Sequence, residues 1–115
     1  MENGGGMKGQ RLALFVVIVT VMSSAEAGRI YGSLQLDGQA VAKATKIVIT
    51  CSGTPFDEEV QEHGRYSINV AMQGTCTFSI EGYPGAKIDI VSYAEATRYN
   101  FAISRNGNIY TMKRK

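Results

Sequence analysis

The two cysteines are the residues of this sequence whose type most directly indicates chemistry. Cys51 and Cys76 are the only cysteines of the chain. Each occupies an apolar position in a run that alternates with polar residues, so both thiols should point into a core. An even number of cysteines in an exported chain is typical of a disulfide. We therefore predict a Cys51–Cys76 bridge, which would stabilise a small domain by about 3.5 kcal/mol on the chain-entropy estimate.

The single histidine, His63, follows an acidic stretch of the kind that can hold a base or a metal ion. Asp57, Glu58, Glu59 and Glu62 precede it closely. A zinc site needs three or four ligands, and these acids lack the spacing of a calcium loop. A Ser-His-Asp triad would have to use the same histidine, which lies at a predicted turn. The sequence therefore predicts no catalytic residue, no metal site, no cofactor and no enzymatic activity.

Tyrosines are the remaining candidates for binding. Tyr66 and Tyr99 occupy positions that the alternating pattern assigns to the core, and they need no further role. Tyr31, Tyr83 and Tyr93 fall outside that set, and we expect them to be exposed. Exposed tyrosine rings can stack on sugars or anchor a protein partner. Tyr83 and Tyr93 are therefore possible partner contacts.

The N-terminal residues have the order of charges and apolar side chains that is typical of a signal peptide. Lys8 and Arg11 precede an uncharged apolar run at residues 12–22, and an A-x-A motif occupies residues 25–27. The apolar run is too short for a membrane-spanning helix, which takes about 20 residues. This pattern predicts a helical signal peptide over residues 1–27 and no permanent membrane span.

Cleavage between Ala27 and Gly28 would leave one domain at residues 28–115, whichever of Met1 and Met7 starts the chain. That domain would be secreted or periplasmic. A domain of this size buries only about 60% of its unfolded surface. The oxidising compartment and the predicted disulfide therefore fit together, since the bridge supports a small core.

The rest of the sequence alternates apolar and polar residues with a period of two, as half-buried β-strands do. Turn signals separate the runs. Asn106-Gly107 favours a tight hairpin with positive φ at both residues, and we expect His63-Gly64 to close a second hairpin. The runs number seven or eight and predict an all-β sandwich. They cover residues 30–36, 46–51, 56–62, 65–70, 75–81, 88–90, 98–104 and 109–113.

Several short segments occur in an order that resembles one known family. They are Ile30-Tyr31-Gly32, Asp37-Gly38-Gln39-Ala40-Val41, Ala44-Thr45-Lys46-Ile47-Val48-Ile49, Gly64-Arg65-Tyr66-Ser67-Ile68 and Gly74-Thr75-Cys76-Thr77-Phe78-Ser79-Ile80. This order resembles the carboxypeptidase regulatory-like domain, which is a transthyretin-like Greek-key β-sandwich of exported proteins. The resemblance implies an accessory, binding or stability module with no catalytic residues to carry over.

The charge of the chain is nearly balanced, with a formal net charge of +2 and cations spread along the sequence. We expect the basic C-terminal residues 113–115 to form a solvated tail. A nucleic-acid binder usually has a denser basic face, so the sequence predicts no nucleic-acid partner.

These features predict an exported, non-catalytic module that binds or supports another macromolecule, a protein or a polysaccharide, at the cell envelope or outside the cell. A scaffold of this kind would use an exposed edge strand, for which residues 87–93 are the candidate. One alternative is a carbohydrate-binding module that places two or three tyrosines coplanar on one face. Another is an inhibitor of a secreted hydrolase that presents a rigid loop at residues 82–86.

Overall fold

The computed structural model describes residues 28–115. The predicted signal peptide and Ala27, on one side of its cleavage site, lie outside the described residues. The described chain contains one 3-10 turn, Glu62–Gly64, and no helix that is long and apolar enough to cross a membrane. Its strands are β1 (Arg29–Leu36), β2 (Gln39–Ala40), β3 (Lys46–Cys51), β4 (Thr54–Glu59), β5 (Arg65–Asn69), β6 (Gly74–Ile80), β7 (Lys87–Ser92), β8 (Thr97–Arg98), β9 (Phe101–Asn106) and β10 (Ile109–Arg114).

The strands form two sheets that pack face to face. Sheet A is built around β1, which pairs with β8 and β9 on one side and with β5 and β2 on the other, and β10 extends the sheet beyond β9. Sheet B is antiparallel and has the order β4-β3-β6-β7. Two of these strands, β2 and β8, have only two residues each. The eight longer strands confirm the predicted all-β sandwich of seven to eight strands.

The core lies between the sheets because most of the long strands have one apolar side; β4, at the edge of sheet B, does not. Tyr66 and Phe101 of sheet A both contact Phe78 of sheet B, with ring centroids 5.2 and 4.9 Å apart. Burying a side chain of this type contributes about 1.5–3 kcal/mol. The predicted alternation is therefore confirmed for the core positions. The buried apolar residues are Ile30, Leu34, Val41, Ile47, Ile49, Cys51, Val60, Tyr66, Ile68, Val70, Cys76, Phe78, Ile80, Ala86, Ile90, Tyr99, Phe101, Ile103 and Met112.

The structure contains the predicted disulfide. Cys51 and Cys76 are directly opposite each other on β3 and β6, with Cα atoms 4.4 Å apart. Both side chains are buried, as expected from the parity of their strands. The bridge therefore joins the two central strands of sheet B at the core face.

The prediction of a hairpin at His63-Gly64 is wrong. β4 pairs with β3 in sheet B, whereas β5 pairs with β1 in sheet A, so the chain crosses between the sheets at this turn. The local backbone does turn, with φ 61° at His63 and 72° at Gly64. A turn signal fixes that local geometry but leaves open which strands pair. Here an added Cβ at Gly64 would press on the carbonyl oxygen of Leu34, so the turn lies tightly against β1.

The hairpin between β9 and β10 is confirmed, although its turn is one residue later than expected. Asn106 pairs with Ile109, which makes Gly107 and Asn108 the central residues. Of these two only Gly107 has a positive φ, 68°. Two successive positive φ angles occur at His63-Gly64 and in two other turns, at 50° and 87° for Asp37-Gly38 and at 48° and 83° for Ser52-Gly53. The strand register, set by the core-facing residues, decides where the turn falls.

Candidate functional site

Sheet A is interrupted where Tyr99 and Asn100 separate β8 from β9. Both strands pair with β1 in the same register, so they form one line along β1 with a gap opposite Gly32 and Ser33. At the gap the backbone of Tyr99 approaches β1 so closely that a Cβ on Gly32 would collide with the carbonyl oxygen of Tyr99. The alternating sequence of residues 98–104 gave no sign of this break.

Side chains replace the missing strand pairing at this gap. The Oδ1 atom of Asn100 accepts hydrogen bonds from the backbone N–H of Ser33, at 3.0 Å, and from its hydroxyl, at 3.2 Å. The carbonyl oxygen of Tyr99 accepts a hydrogen bond from the buried hydroxyl of Tyr66 at 2.6 Å. Burial, and to a smaller extent the neighbouring Tyr99, raises the pKa of Tyr66 far above its usual range. Tyr66 therefore remains a neutral donor.

The Tyr99 side chain extends from sheet A to the edge of sheet B. Its hydroxyl donates to the Val91 carbonyl oxygen at 3.0 Å and accepts from the Val91 N–H at 3.1 Å. β7 is an edge strand, as the scaffold hypothesis requires. However, the outward-facing backbone of Val91 is occupied by Tyr99, and the N–H of Lys87 donates to Gly85. A partner strand would therefore find much of this edge already bonded.

The three tyrosines expected at the surface do not share one face. Tyr31 lies on the outer side of sheet A and is half-buried, with the guanidinium of Arg29 4.5 Å from its ring centroid. Tyr83 is half-buried in the loop between β6 and β7. Tyr93 follows β7 and is 49% exposed. This arrangement offers no coplanar platform of these three rings for a sugar chain.

A second tyrosine, Tyr110, lies beside Tyr83 and was not singled out by the sequence. Their ring centroids are 5.0 Å apart with planes tilted by 59°, so the rings pack on each other. The loop containing Tyr83 borders a shallow depression of about 310 Å³. The loop is fastened to β10, because the Tyr110 N–H donates to the Pro84 carbonyl oxygen at 2.8 Å. Both rings pack against the core, and the proposed inhibitor loop lies against the sandwich.

The outer side of sheet A carries the largest set of like charges. In β1 and β5, Arg29 and Arg65 have outward parity, opposite to buried Ile30 and Tyr66. Arg98 faces the same side because it pairs with Tyr31. At the opposite edge of the sheet, in β10, Lys113 also points outward, because its neighbour Met112 is buried. We call Arg29, Arg65, Arg98, Lys113 and Lys115 the cationic face.

All three C-terminal residues are exposed, as expected, but they do not form a free tail, because residues 113 and 114 belong to this sheet. Lys113 lies within β10. The Lys115 N–H donates to the carbonyl oxygen of Asn100, and its Nζ donates to Gln35 Oε1 at 2.9 Å. Since Gln35 has the outward parity of β1, the Lys115 ammonium group joins the cationic face.

No strand of sheet A contains an aspartate or a glutamate. The acids nearest in sequence to this sheet lie in turns, at Asp37 and Glu95. Within residues 28–115, the ion pairs are Lys43–Glu62 at 3.2 Å and Lys46–Asp57 at 3.4 Å, and neither involves the cationic face. Arg65, Arg98, Lys113 and Lys115 therefore form no ion pair with an acid of residues 28–115.

The acidic stretch and His63 do not form a binding or catalytic site in the described residues. Asp57, Glu58 and Glu59 lie on β4, an edge strand of sheet B, where charges discourage pairing with other chains. His63 is exposed at the crossover turn. No group of three or more His, Cys, Asp or Glu side chains in residues 28–115 is arranged to hold a metal ion.

Comparison with known proteins gives similarity in structure but no match in sequence. No protein-family model and no curated protein matches the chain. Among solved structures, the chain is similar to a protein from Bacteroides uniformis provisionally described as a carbohydrate binding protein, with 18% sequence identity and a TM-score of 0.48. The match covers 76% of this chain and 51% of that chain. This chain thus spans about half the length of that protein.

Proposed function

We propose that this protein is an exported, non-catalytic β-sandwich module that binds another macromolecule through the cationic face. The observation that carries the proposal is the sorting of charge between the sheets: every charged residue in the strands of sheet A is basic. Charges of one sign on one face create a field that attracts a partner of the opposite sign. Arg65, Arg98 and Lys113 form no ion pair with an acid of residues 28–115, so they contribute little to the stability of the fold.

Export is supported by the signal-peptide pattern and by the Cys51–Cys76 bridge, since structural disulfides persist in oxidising compartments. Gly28 is compatible with a new N-terminus, because its nitrogen donates to the Ala94 carbonyl oxygen at 2.9 Å. An α-ammonium group could donate in the same way. The resemblance to the carboxypeptidase regulatory-like domain agrees with a sandwich that acts as a binding module.

The absence of catalysis is supported by the chemistry of the described residues. Both cysteines are in the disulfide, so residues 28–115 contain no free thiol. His63 is exposed and makes no side-chain hydrogen bond within that range, so no Ser-His pair is formed. We therefore assign the polar surface to recognition.

Export is tested by expressing the full chain, separating the exported fraction and measuring its intact mass. We expect residues 28–115 with two hydrogens fewer than the reduced chain. Retention of Met1 or Met7 would contradict cleavage, and two free thiols would contradict the bridge.

Binding is tested by co-sedimentation of the exported protein with insoluble envelope material from its source cells. We compare Arg65→Gln/Arg98→Gln with Lys46→Gln/Lys87→Gln, which removes the same charge from sheet B. We expect the first variant to stay in solution and the second to sediment like the unchanged protein. Absence of sedimentation of the unchanged protein, or equal losses in both variants, would contradict binding through the cationic face.

A further inference from the structure

We infer that the partner of the cationic face is an acidic polysaccharide, a sugar chain with carboxylate or sulfate groups along its length. This inference rests on the proposed function, since it names the ligand class of the same face. It follows from the spread of the cations, the side chains between them and the compartment that the disulfide implies.

The cations are spread along the sheet rather than gathered in a pocket. Arg29 and Gln35, the residue that binds the Lys115 ammonium, lie at opposite ends of β1. Six residues of strand separate them, or about 20 Å at 3.3 Å per residue. A single phosphate or carboxylate could contact only one or two of the five cations. A chain that repeats its anionic group can contact several of them at once.

Between the cations lie mainly hydroxyl and amide groups. Ser67, Asn69, Asn100, Ser104 and Thr111 have outward parity in their strands or bond to an outward residue. Such groups donate to and accept from sugar hydroxyls and ring oxygens. The one large aromatic ring near the middle of the face is Tyr31, which is half-buried beneath Arg29.

This polar composition disfavours two other anionic partners. A stable protein interface has an apolar and aromatic centre, and a membrane-binding surface inserts several large apolar side chains into the lipid. The exposed large apolar side chains of the described chain are Tyr93 and Ile109. Ile109 lies at the tip of the β9–β10 hairpin and Tyr93 follows β7 in the other sheet, so neither is central to the face.

A nucleic acid has the same negative charge as an acidic polysaccharide, but it differs in the side chains that bind it and in the compartment where it occurs. Binding of single strands relies on rows of aromatic side chains for base stacking, and the face has only Tyr31. A structural disulfide indicates an oxidising compartment and not the cytosol or the nucleus. The observations therefore favour a polysaccharide over a nucleic acid.

Part of the face is held in place before any ligand binds. The Arg29 Nε donates to the Ser67 hydroxyl at 3.0 Å while its guanidinium stacks on Tyr31. The Asn100 Oδ1 is fixed by Ser33. Side chains already ordered in this way lose less conformational entropy on binding. Arg65 and Arg98 are exposed and are the cations best suited to substitution.

The experiment measures binding of the exported, disulfide-bonded protein to polygalacturonate and to dextran sulfate. The matched probes are methyl-esterified polygalacturonate and plain dextran, which have the same sugar chains without the charge. We expect binding to at least one acidic polymer and none to its neutral counterpart. Affinity should fall steeply between 50 and 200 mM salt, because bound cations release counterions from a polyanion.

The variants identify the face. Arg65→Gln/Arg98→Gln should weaken binding about tenfold at low salt, whereas Lys46→Gln/Lys87→Gln should change it less than about twofold, although both remove two positive charges. Circular dichroism and thiol counting establish that both variants are folded and oxidised. Equal losses in the two variants would overturn the assignment to sheet A.

Three results would overturn the ligand class. They are equal affinity for charged and neutral sugars, tighter binding to an oligothymidylate single strand, and tighter binding to phosphatidylglycerol vesicles. Retention on envelope material without binding to any acidic polysaccharide would refute this inference and leave the proposed function standing. Failure of both experiments would refute the two together.

Discussion

The strands of the two sheets differ sharply in charge although they come from one nearly neutral chain. The charged residues in the strands of sheet A are all basic. The strands of sheet B combine Lys46 and Lys87 with four acids, Asp57, Glu58, Glu59 and Asp89, and here Lys46 pairs with Asp57. The cationic face therefore results from which strands belong to sheet A, and not from the overall composition of the chain.

The strands within each sheet are also held together by different means. Sheet B has a covalent link, since the disulfide joins its central strands. Sheet A has a gap filled by Tyr99 and Asn100, which depends on the absence of a side chain at Gly32. A substitution that adds a side chain at the gap should therefore destabilise sheet A by a steric clash. Sheet B should be destabilised by a substitution that removes its disulfide.

The largest effect is expected for Gly32→Ala. The new Cβ would occupy the position of the Tyr99 carbonyl oxygen, so β1 and the Tyr99 backbone would have to separate. We expect a loss of more than about 4 kcal/mol in the free energy of unfolding, or no folded protein. Chemical denaturation followed by circular dichroism measures it.

Gly74→Ala in sheet B is the matched control. Gly74 has a φ of 113° but no heavy atom within 4 Å of an added Cβ. It should cost only about 1–2 kcal/mol, from backbone strain alone. Similar losses at both glycines would show that the approach of Tyr99 to β1 is not tight.

The next largest effect is expected for Cys51→Ala/Cys76→Ala. Removing the bridge frees a loop whose closure is worth about 3.5 kcal/mol, and it leaves small cavities in the core. The free energy of unfolding should fall by a similar amount. The unchanged protein in reducing agent should behave like the double variant; a stable reduced protein would refute the role of the bridge.

A smaller, pH-dependent effect is expected from Tyr66 in sheet A. Burial, followed by the neighbouring Tyr99, raises the pKa of Tyr66 above its unfolded value of about 10. The unfolded state therefore loses this proton first, so the stabilisation is complete below about pH 10 and is lost as the pH rises further. One such group contributes a slope of about 1.4 kcal/mol per pH unit.

Denaturation between pH 9 and pH 11 measures this slope. Tyr66→Phe should flatten it and also cost about 1–3 kcal/mol at neutral pH, because the Tyr99 carbonyl oxygen loses its donor. Tyr93→Phe, at an exposed ring, is the control. An unchanged slope in Tyr66→Phe would contradict the assignment.

The smallest effect on stability is expected for the two substitutions that should matter most for binding. Arg65→Gln/Arg98→Gln removes cations without acidic partners in the described chain, so the free energy of unfolding should change by less than about 0.5 kcal/mol. Thermal denaturation measures it. A large loss would mean that these arginines support the fold, and it would weaken the comparison between the two faces.

Much of the fold was predictable because strand parity is local. The period of two at Tyr66 and Ile68, or at Cys76 and Phe78, correctly assigned the core side chains, and the same parity brought the two cysteines inward. Strand pairing was less predictable. The turn at His63-Gly64 looked like a hairpin, but its direction depends on β1, which lies far away in the sequence.

The candidate site was mostly invisible in the sequence. Arg29, Arg65, Arg98 and Lys113 are separated by long intervals in the chain and come together only when β1, β5, β8 and β10 join one sheet. The one available signal was that each has the parity opposite to the core residues of its run. Tyr110 was missed for a similar reason, since its contact with Tyr83 joins two hairpins that the sequence does not relate.

The sequence by itself determined the all-β class, the core positions and the pairing of two inward cysteines, because these depend on alternation along single strands. The tertiary structure alone decided which strands share a sheet, where the Tyr99–Asn100 gap lies opposite Gly32, and on which side the cations gather. Those features depend on contacts between residues distant in the chain. The proposed binding surface is a property of that assembly, since scattered basic residues became one face only through strand pairing.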